Sequence, residues 1–314
     1  MKSAHLIIIS LLFCLLFLAL QDFSVYLDML CIGLIVLAGV PHGAVDNHLL
    51  INPLNRLPAV AFHSLYSGLV ILYMALWFLF PTVSFVFFLL LTAYHFGEAY
   101  VRYSSLTTVF KTLLNFTTGL ALLSGMIMFN FKEFNGFLVS QILMELSSGL
   151  EFTFVLYLFI TANIIALFLI SREYFISNKK ALNLVQDIAS VLVLYLAFYF
   201  LDFLKSFTLF FVFWHSFDVL KQIFSFLKNK NKINGISHFI KFMLPNYIVS
   251  ILIGGVLLFL VHFLGIDLKL TSIIFLFLAS LTLPHALVMS LLITEINLLV
   301  KVDGYVLLQI VAKG

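Results

Sequence analysis

The chain has 314 residues, of which 63% are hydrophobic and 10% charged, with a formal net charge of +3. Soluble domains carry about 45–50% apolar and about 25% charged residues, so this sequence has too little polar surface to face water and reads as a protein dissolved in lipid. The small basic excess is spread over short loops, which excludes a nucleic-acid footprint, and the two cysteines, Cys14 and Cys31, sit in apolar runs that offer neither a disulfide framework nor a cysteine metal site.

A helix needs about 20 apolar residues to cross the hydrocarbon core. Taken in chain order, the apolar runs predict helices near 5–20, 23–40, 57–80, 82–101, 106–130, 150–171, 183–201, 205–227, 239–264 and 270–293. The first run follows Lys2 but is followed by Gln21, Asp22 and Phe23 rather than a small-residue cleavage site, so it is expected to stay as a span. The segment near 131–149, with Lys132, Glu133 and Glu145 around an apolar patch, reads as an interfacial helix. Strict alternation is absent, which rules out a closed barrel. The expected fold is all-α: one integral membrane domain over 1–314, a polytopic transmembrane helix bundle of about ten spans in the cell (inner) membrane. With both the N- and C-termini cytoplasmic, all but Lys132, Lys205 and Lys269 of the 17 Lys and Arg residues fall on the cytoplasmic side, among them Arg56, Arg102, Lys179, Lys180, Lys301 and Lys313.

Nine histidines are present. In this topology His42, His95, His215 and His285 lie on separate helices at similar depth, toward the cytoplasmic half. Ionisable groups at that depth are expensive and usually functional, and neutral imidazole is the commonest ligand for transition metals. His42 has Asp46 at i+4, His95 has Glu98 at i+3 and His215 has Asp218 at i+3. On a helix those spacings put acid and imidazole on one face, where a carboxylate can fix the tautomer of a metal-bound ring. His285 has no such acid nearby. Pro41 and Gly43 around His42, and Pro284 before His285, predict helix breaks that free backbone groups, or ordinary kinks.

The set reads as a metal centre. A His/carboxylate proton relay of a proton-coupled transporter is the competing reading, and any one of these histidines alone reads equally well as a hydrogen-bonding group between helices. The remaining histidines carry less: His5 is terminal, His262 lies toward the opposite face, His238 is beside Lys241, and His63 enters the third span from the cytoplasmic side, where it can approach the site but has no nearby partner. His48 joins the site only if its segment folds back. Asp28 sits inside the second predicted span with no evident partner. Tyr94, Phe96, Phe213, Trp214 and Phe217 are candidates to line a groove, with helix packing as their commoner use.

The runs Pro41-His42-Gly43-Ala44-Val45-Asp46, Tyr94-His95-Phe96-Gly97-Glu98, His215-Ser216 and Leu283-Pro284-His285 occur in one order over about 40–290. This ordered set resembles the Brp/Blh family of membrane β-carotene 15,15′-dioxygenases. The resemblance implies Fe(2+) held by histidines and O2-dependent cleavage of the central double bond of β-carotene to two retinal molecules. A retinal-binding rhodopsin is then an expected functional partner, and a non-catalytic accessory role for a retinal-binding pump is a third reading. Carried over by motif, His42, His95 and His215 match catalytic metal-ligand positions. The family pattern has a further histidine four residues after the His-Ser histidine. Here Val219 stands there, so His285, His48 or Asp218 completes the set, or three protein ligands hold the iron.

Overall fold

In the computed structural model the described residues are 2–50, 58–100, 108–141, 151–176, 181–263 and 273–292. They are almost entirely helical, joined by short turns, with no strand among them. Helix α1 is Lys2–Ala19, and α2 (Ser24–Leu34) continues through a π-helical stretch, Ile35–Gly39, into the short α3 (Val40–Gly43) and then α4 (Asp46–Leu50). α5 (Ala59–Leu79), α6 (Pro81–Tyr100), α7 (Thr108–Phe129), α8 (Phe131–Gln141), α9 (Phe152–Ile176) and α10 (Ala181–Phe200) follow. α11 (Phe203–Thr208) runs through a second π-helical stretch, Leu209–Ser216, into α12 (Phe217–Asn229), and α13 (Ile236–Phe263) and α14 (Ile273–Leu292) complete the bundle.

The helices fall where the apolar runs put them. Among the described residues seven helices are long and apolar enough: Ser24–Leu49, Ala59–Leu79, Val109–Phe129, Phe152–Ile176, Phe203–Asn229, Ile236–Phe259 and Ile273–Leu292. The runs expected near 5–20 and 183–201 form α1 (Lys2–Ala19) and α10 (Ala181–Phe200). α6, which carries His95 and Glu98, is not among the seven. Glu145, Lys269 and the loop residues Arg56, Arg102, Lys179, Lys180, Lys301 and Lys313 lie outside the described residues.

Large apolar side chains such as Leu12, Tyr26, Ile71, Phe168 and Phe259 face outward, a surface a water-soluble protein does not carry. Inside, a cluster that includes Phe13, Phe17, Leu27, Cys31, Phe96, Leu122, Phe198 and Phe210 joins α1, α2, α6, α7, α10 and the second π stretch. Small residues set the closest approach. A Cβ on Gly97 would lie 1.6 Å from the Asn115 carbonyl oxygen, and one on Gly119 would lie 1.7 Å from that of Ala93. α6 and α7 therefore touch backbone to backbone, the packing small residues permit between membrane helices.

Asp28 finds its partner across the fold. Its Oδ1 is 2.9 Å from Lys205 Nζ, and Asp202 pairs with the same ammonium. Asp202 also caps α11, accepting from the Lys205 backbone N–H at 3.0 Å, which satisfies one of the donors a helix start leaves open. Glu133 of α8 accepts from the Phe203 N–H at 2.8 Å. These contacts tie the start of α11 to α2 and α8, so the helices that lead to His42 and His215 are fixed against each other one end away from the histidines.

Candidate metal centre

Four histidines converge from four parts of the chain. His42 comes from α3, His95 from α6, His215 from the second π stretch and His285 from α14, and all four are buried. Ring centroids are 4.6 Å apart for His42–His285, 4.8 Å for His95–His215, 5.0 Å for His95–His285 and 5.2 Å for His42–His215. His42, His95 and His215 each offer a ligand atom within 4.8 Å of the others. Both ring nitrogens of His95 and of His215, His42 Nδ1 and His285 Nε2 have no hydrogen-bond partner among the described residues. Buried imidazole nitrogens normally do, so the cluster has the orphaned polar atoms that a bound cation would satisfy.

Local backbone geometry brings the rings together. Both π stretches lie next to a histidine of the cluster: Ile35–Gly39 ends three residues before His42, and Leu209–Ser216 contains His215. π-Helical turns are rare and are frequently found at functional sites. Gly39 lets the ring of Phe211 lie against the first stretch, since a Cβ there would be 2.3 Å from Phe211 Cε1. Phe211 in turn stacks on His215 at 5.9 Å and meets His42 edge-on at 5.7 Å, while Phe96 lies 4.6 Å from His215. The prolines do not interrupt as expected. Pro41 stands two residues after the first π stretch inside a helix that runs unbroken from Ser24 to Gly43, and α14 passes through Pro284 without a break. The break comes instead at Ala44 and Val45, a turn between α3 and α4.

That turn redirects Asp46. The spacing predicts a bond to His42, yet Asp46 Oδ2 and Oδ1 lie 3.0 and 3.1 Å from His285 Nδ1, and the Tyr66 hydroxyl donates to Asp46 Oδ2 at 3.0 Å. The histidine expected to have no acid is the one that has it. The carboxylate takes the Nδ1–H of His285, which leaves Nε2 as the free lone pair of that ring. The other two acids also depart from expectation. Glu98 accepts from the Tyr94 hydroxyl at 3.3 Å, and neither Glu98 nor Asp218 reaches a nitrogen of His95 or His215.

The choice among the further candidates also narrows. His48 stacks on Phe242 at 3.7 Å, Val219 is fully buried in an apolar cluster with Val45, Leu49 and Ile223, and His285 alone of the three alternatives joins the histidine cluster. His238 lies 6.0 Å from Phe242, and His5 and His262 are exposed.

The cluster opens into a cavity of about 1010 Å³, at the upper end of the range for ligand pockets, which is about 300–1,000 Å³. Its wall is mainly apolar, with Phe85, Phe88, Phe134, Phe207, Phe211 and Phe275 prominent. On α6 the lining runs from Phe85 to His95 and on α14 from Phe275 to His285. Ten residues of helix on each give the cavity a length of about 15 Å from the histidines, and Asp28, Glu133 and Asp202 border it farther off. Of the aromatics expected to line a groove, only Phe96 does. Phe213 packs on Phe13, Trp214 donates to Ser10 Oγ at 3.0 Å, Phe217 faces outward and Tyr94 serves Glu98.

The family description beta-carotene 15,15′-dioxygenase matches residues 33–293, a stretch that holds all four histidines, Asp46 and the cavity wall except Asp28 and Ile32. The chain belongs to the beta-carotene 15,15′-dioxygenase family. No curated protein and no solved structure matches it. Tyr66, Phe207 and Phe211 are the site residues that sequence reasoning missed. Each is one more aromatic in an apolar run, and only Tyr66, one helical turn after His63, carries a polar atom that would have singled it out.

Proposed function

We propose that this protein cleaves β-carotene at its central double bond with O2 to give two retinal molecules, using Fe(2+) held by His42, His95, His215 and His285. The observation that carries the reading is the meeting of four buried imidazoles, with unpartnered nitrogens, in the wall of a mainly apolar cavity of about 1010 Å³. The donor set fits the ion: imidazole suits iron, and one ring is already oriented by a carboxylate. The single negative charge of Asp46 beside four neutral rings offsets part of a divalent charge.

Iron, when bound, supplies the activation of dioxygen. The chain supplies the rest. Tyr66 holds Asp46, Asp46 holds His285, and Phe96 and Phe211 wedge His215, so the rings keep one geometry. The phenylalanine wall binds the polyene by excluding water from it, worth about 25 cal/mol per Å² of apolar surface covered. It also keeps water from a reactive cleavage site. The substrate dissolves in the hydrocarbon phase around the helices and enters from there. The product suits a retinal-binding rhodopsin as acceptor, in the cell membrane, with the basic loops on the cytoplasmic side.

The test is substitution with metal analysis. His42→Ala and His95→Ala are expected to insert in the membrane, lose bound iron and form no retinal in cells that accumulate β-carotene. Full activity in either variant overturns the ligand assignment. Wild-type protein that binds no iron would favour the transporter or the accessory reading instead.

A further inference from the structure

Several buried polar atoms of the described residues have no hydrogen-bond partner, and those of His42, Thr92, His95, His215 and His285 belong to residues that line the cavity. Four of the five residues are the histidines. The fifth, Thr92, is not explained by a metal, because a neutral hydroxyl is a poor ligand beside imidazole.

Thr92 lies on α6, three residues before His95, which puts the two side chains on one face with Cβ atoms about 5–6 Å apart. It is 3% exposed. Hydroxyls in membrane helices ordinarily satisfy themselves by bonding the carbonyl four residues back. That is what Thr117 does to Leu113 at 2.8 Å, Thr208 to Leu204 at 2.7 Å and the cavity-lining Thr282 to Leu278 at 2.8 Å. Thr92 Oγ1 makes no such bond; nor do Thr118, Ser216 and Ser280, but of these four buried hydroxyls only Thr92 lines the cavity. An unsatisfied buried hydroxyl destabilises, so its retention beside the histidines calls for a partner that arrives with a ligand.

A hydrocarbon polyene has no atom for Thr92 to bond. Its cleavage products have one: the aldehyde oxygen, formed at the cut bond and therefore next to the histidines. A carbonyl oxygen is an acceptor, and the hydroxyl is a donor. We infer that Thr92 is a product-side positioning residue whose hydroxyl donates to the aldehyde oxygen of the newly formed retinal, so that the site distinguishes product from substrate by one hydrogen bond. This rests on the cleavage reading proposed above.

The experiment measures binding on the full-length protein in detergent, with retinal and β-carotene as probes and quenching of Trp77 and Trp214 emission as the readout. Thr92→Val keeps the shape and removes the donor. It is expected to weaken retinal binding about five-fold, the worth of one ordinary hydrogen bond, and to leave β-carotene binding and iron content unchanged. Thr92→Ser, which restores a hydroxyl, is expected to recover retinal affinity. Unchanged retinal affinity in Thr92→Val overturns the inference, as does an equal loss for retinal and β-carotene, which would mark Thr92 as wall packing alone. If the wild-type protein makes retinal and holds iron while Thr92→Val binds retinal normally, this inference fails and the cleavage reading stands. If the wild-type protein makes no retinal, both fail together.

Discussion

Replacing Asp46 by Asn tests the link between the carboxylate and the metal centre most directly. Asp46 is buried and accepts two bonds, from His285 Nδ1 at 3.0 Å and from the Tyr66 hydroxyl at 3.0 Å. A hydrogen bond to a charged group contributes about 1.5–3 kcal/mol and one between neutral groups about 1 kcal/mol. Asparagine keeps the volume and one carbonyl acceptor, so the loss is the charge assistance on one or both bonds, about 1.5–2 kcal/mol. At 1.4 kcal/mol per factor of ten, iron affinity is expected to fall about 10- to 30-fold, which agrees with the range for groups that orient metal-bound histidines. The assay is iron content after equilibration against a graded chelator. Glu98→Gln and Asp218→Asn are the matched controls, because they stand at comparable spacing from His95 and His215 but touch neither ring nitrogen. If Asp46→Asn retains wild-type iron affinity, or if all three variants lose it equally, the carboxylate–histidine link has no role in holding the metal.

Tyr66→Phe removes one of the two bonds to Asp46 and is expected to weaken iron binding by less than Asp46→Asn, about five-fold, in the same chelator assay. Gly97→Ala places a methyl 1.6 Å from the Asn115 carbonyl and is expected to lower stability by at least about 1–3 kcal/mol, whereas Gly68→Ala in α5 meets nothing within 4 Å and is expected to be neutral or stabilising. Thermal unfolding in detergent reads both, and a Gly97→Ala protein as stable as wild type would contradict the backbone contact of α6 with α7. Lys205→Met leaves Asp28 and Asp202 without their shared cation. Both acids are partly exposed, so the expected cost is about 1–2 kcal/mol rather than the 3–5 of a fully buried pair, partly recovered by adding Asp28→Asn. An unchanged melting temperature in Lys205→Met would show that the pair contributes nothing.

The position of each helix was legible because lipid demands long apolar runs, and apolarity is a property of the residues themselves. The four histidines were legible for the same reason, being costly where they stand. What escaped was every feature set by two distant segments. Asp46 was assigned to His42 by counting four residues along a regular helix, but the chain turns at Ala44 and Val45 and the carboxylate meets a ring 239 positions away. Asp218 was assigned to His215 on α-helical spacing, while His215 lies in a π-helical stretch where that count no longer predicts a shared face. Glu98 does lie on a regular helix, and there Tyr94 competes for it from the other side. Asp28 had no partner within its own span because the partner, Lys205, comes from α11.

The two π-helical stretches bear on how such a site can vary. A widened turn is equivalent to one inserted residue in an α-helix, and each residue advances the helix by about 100°. Deleting any single residue of Ile35–Gly39 would leave the composition, the hydropathy and His42 itself intact, yet swing the imidazole a quarter-circle or more out of phase with its three neighbours. In these two helices the length of the chain before the histidine is as much a part of the site as the histidine. A relative that keeps every ligand but differs there by one residue would be inactive for reasons no list of matching residues would reveal.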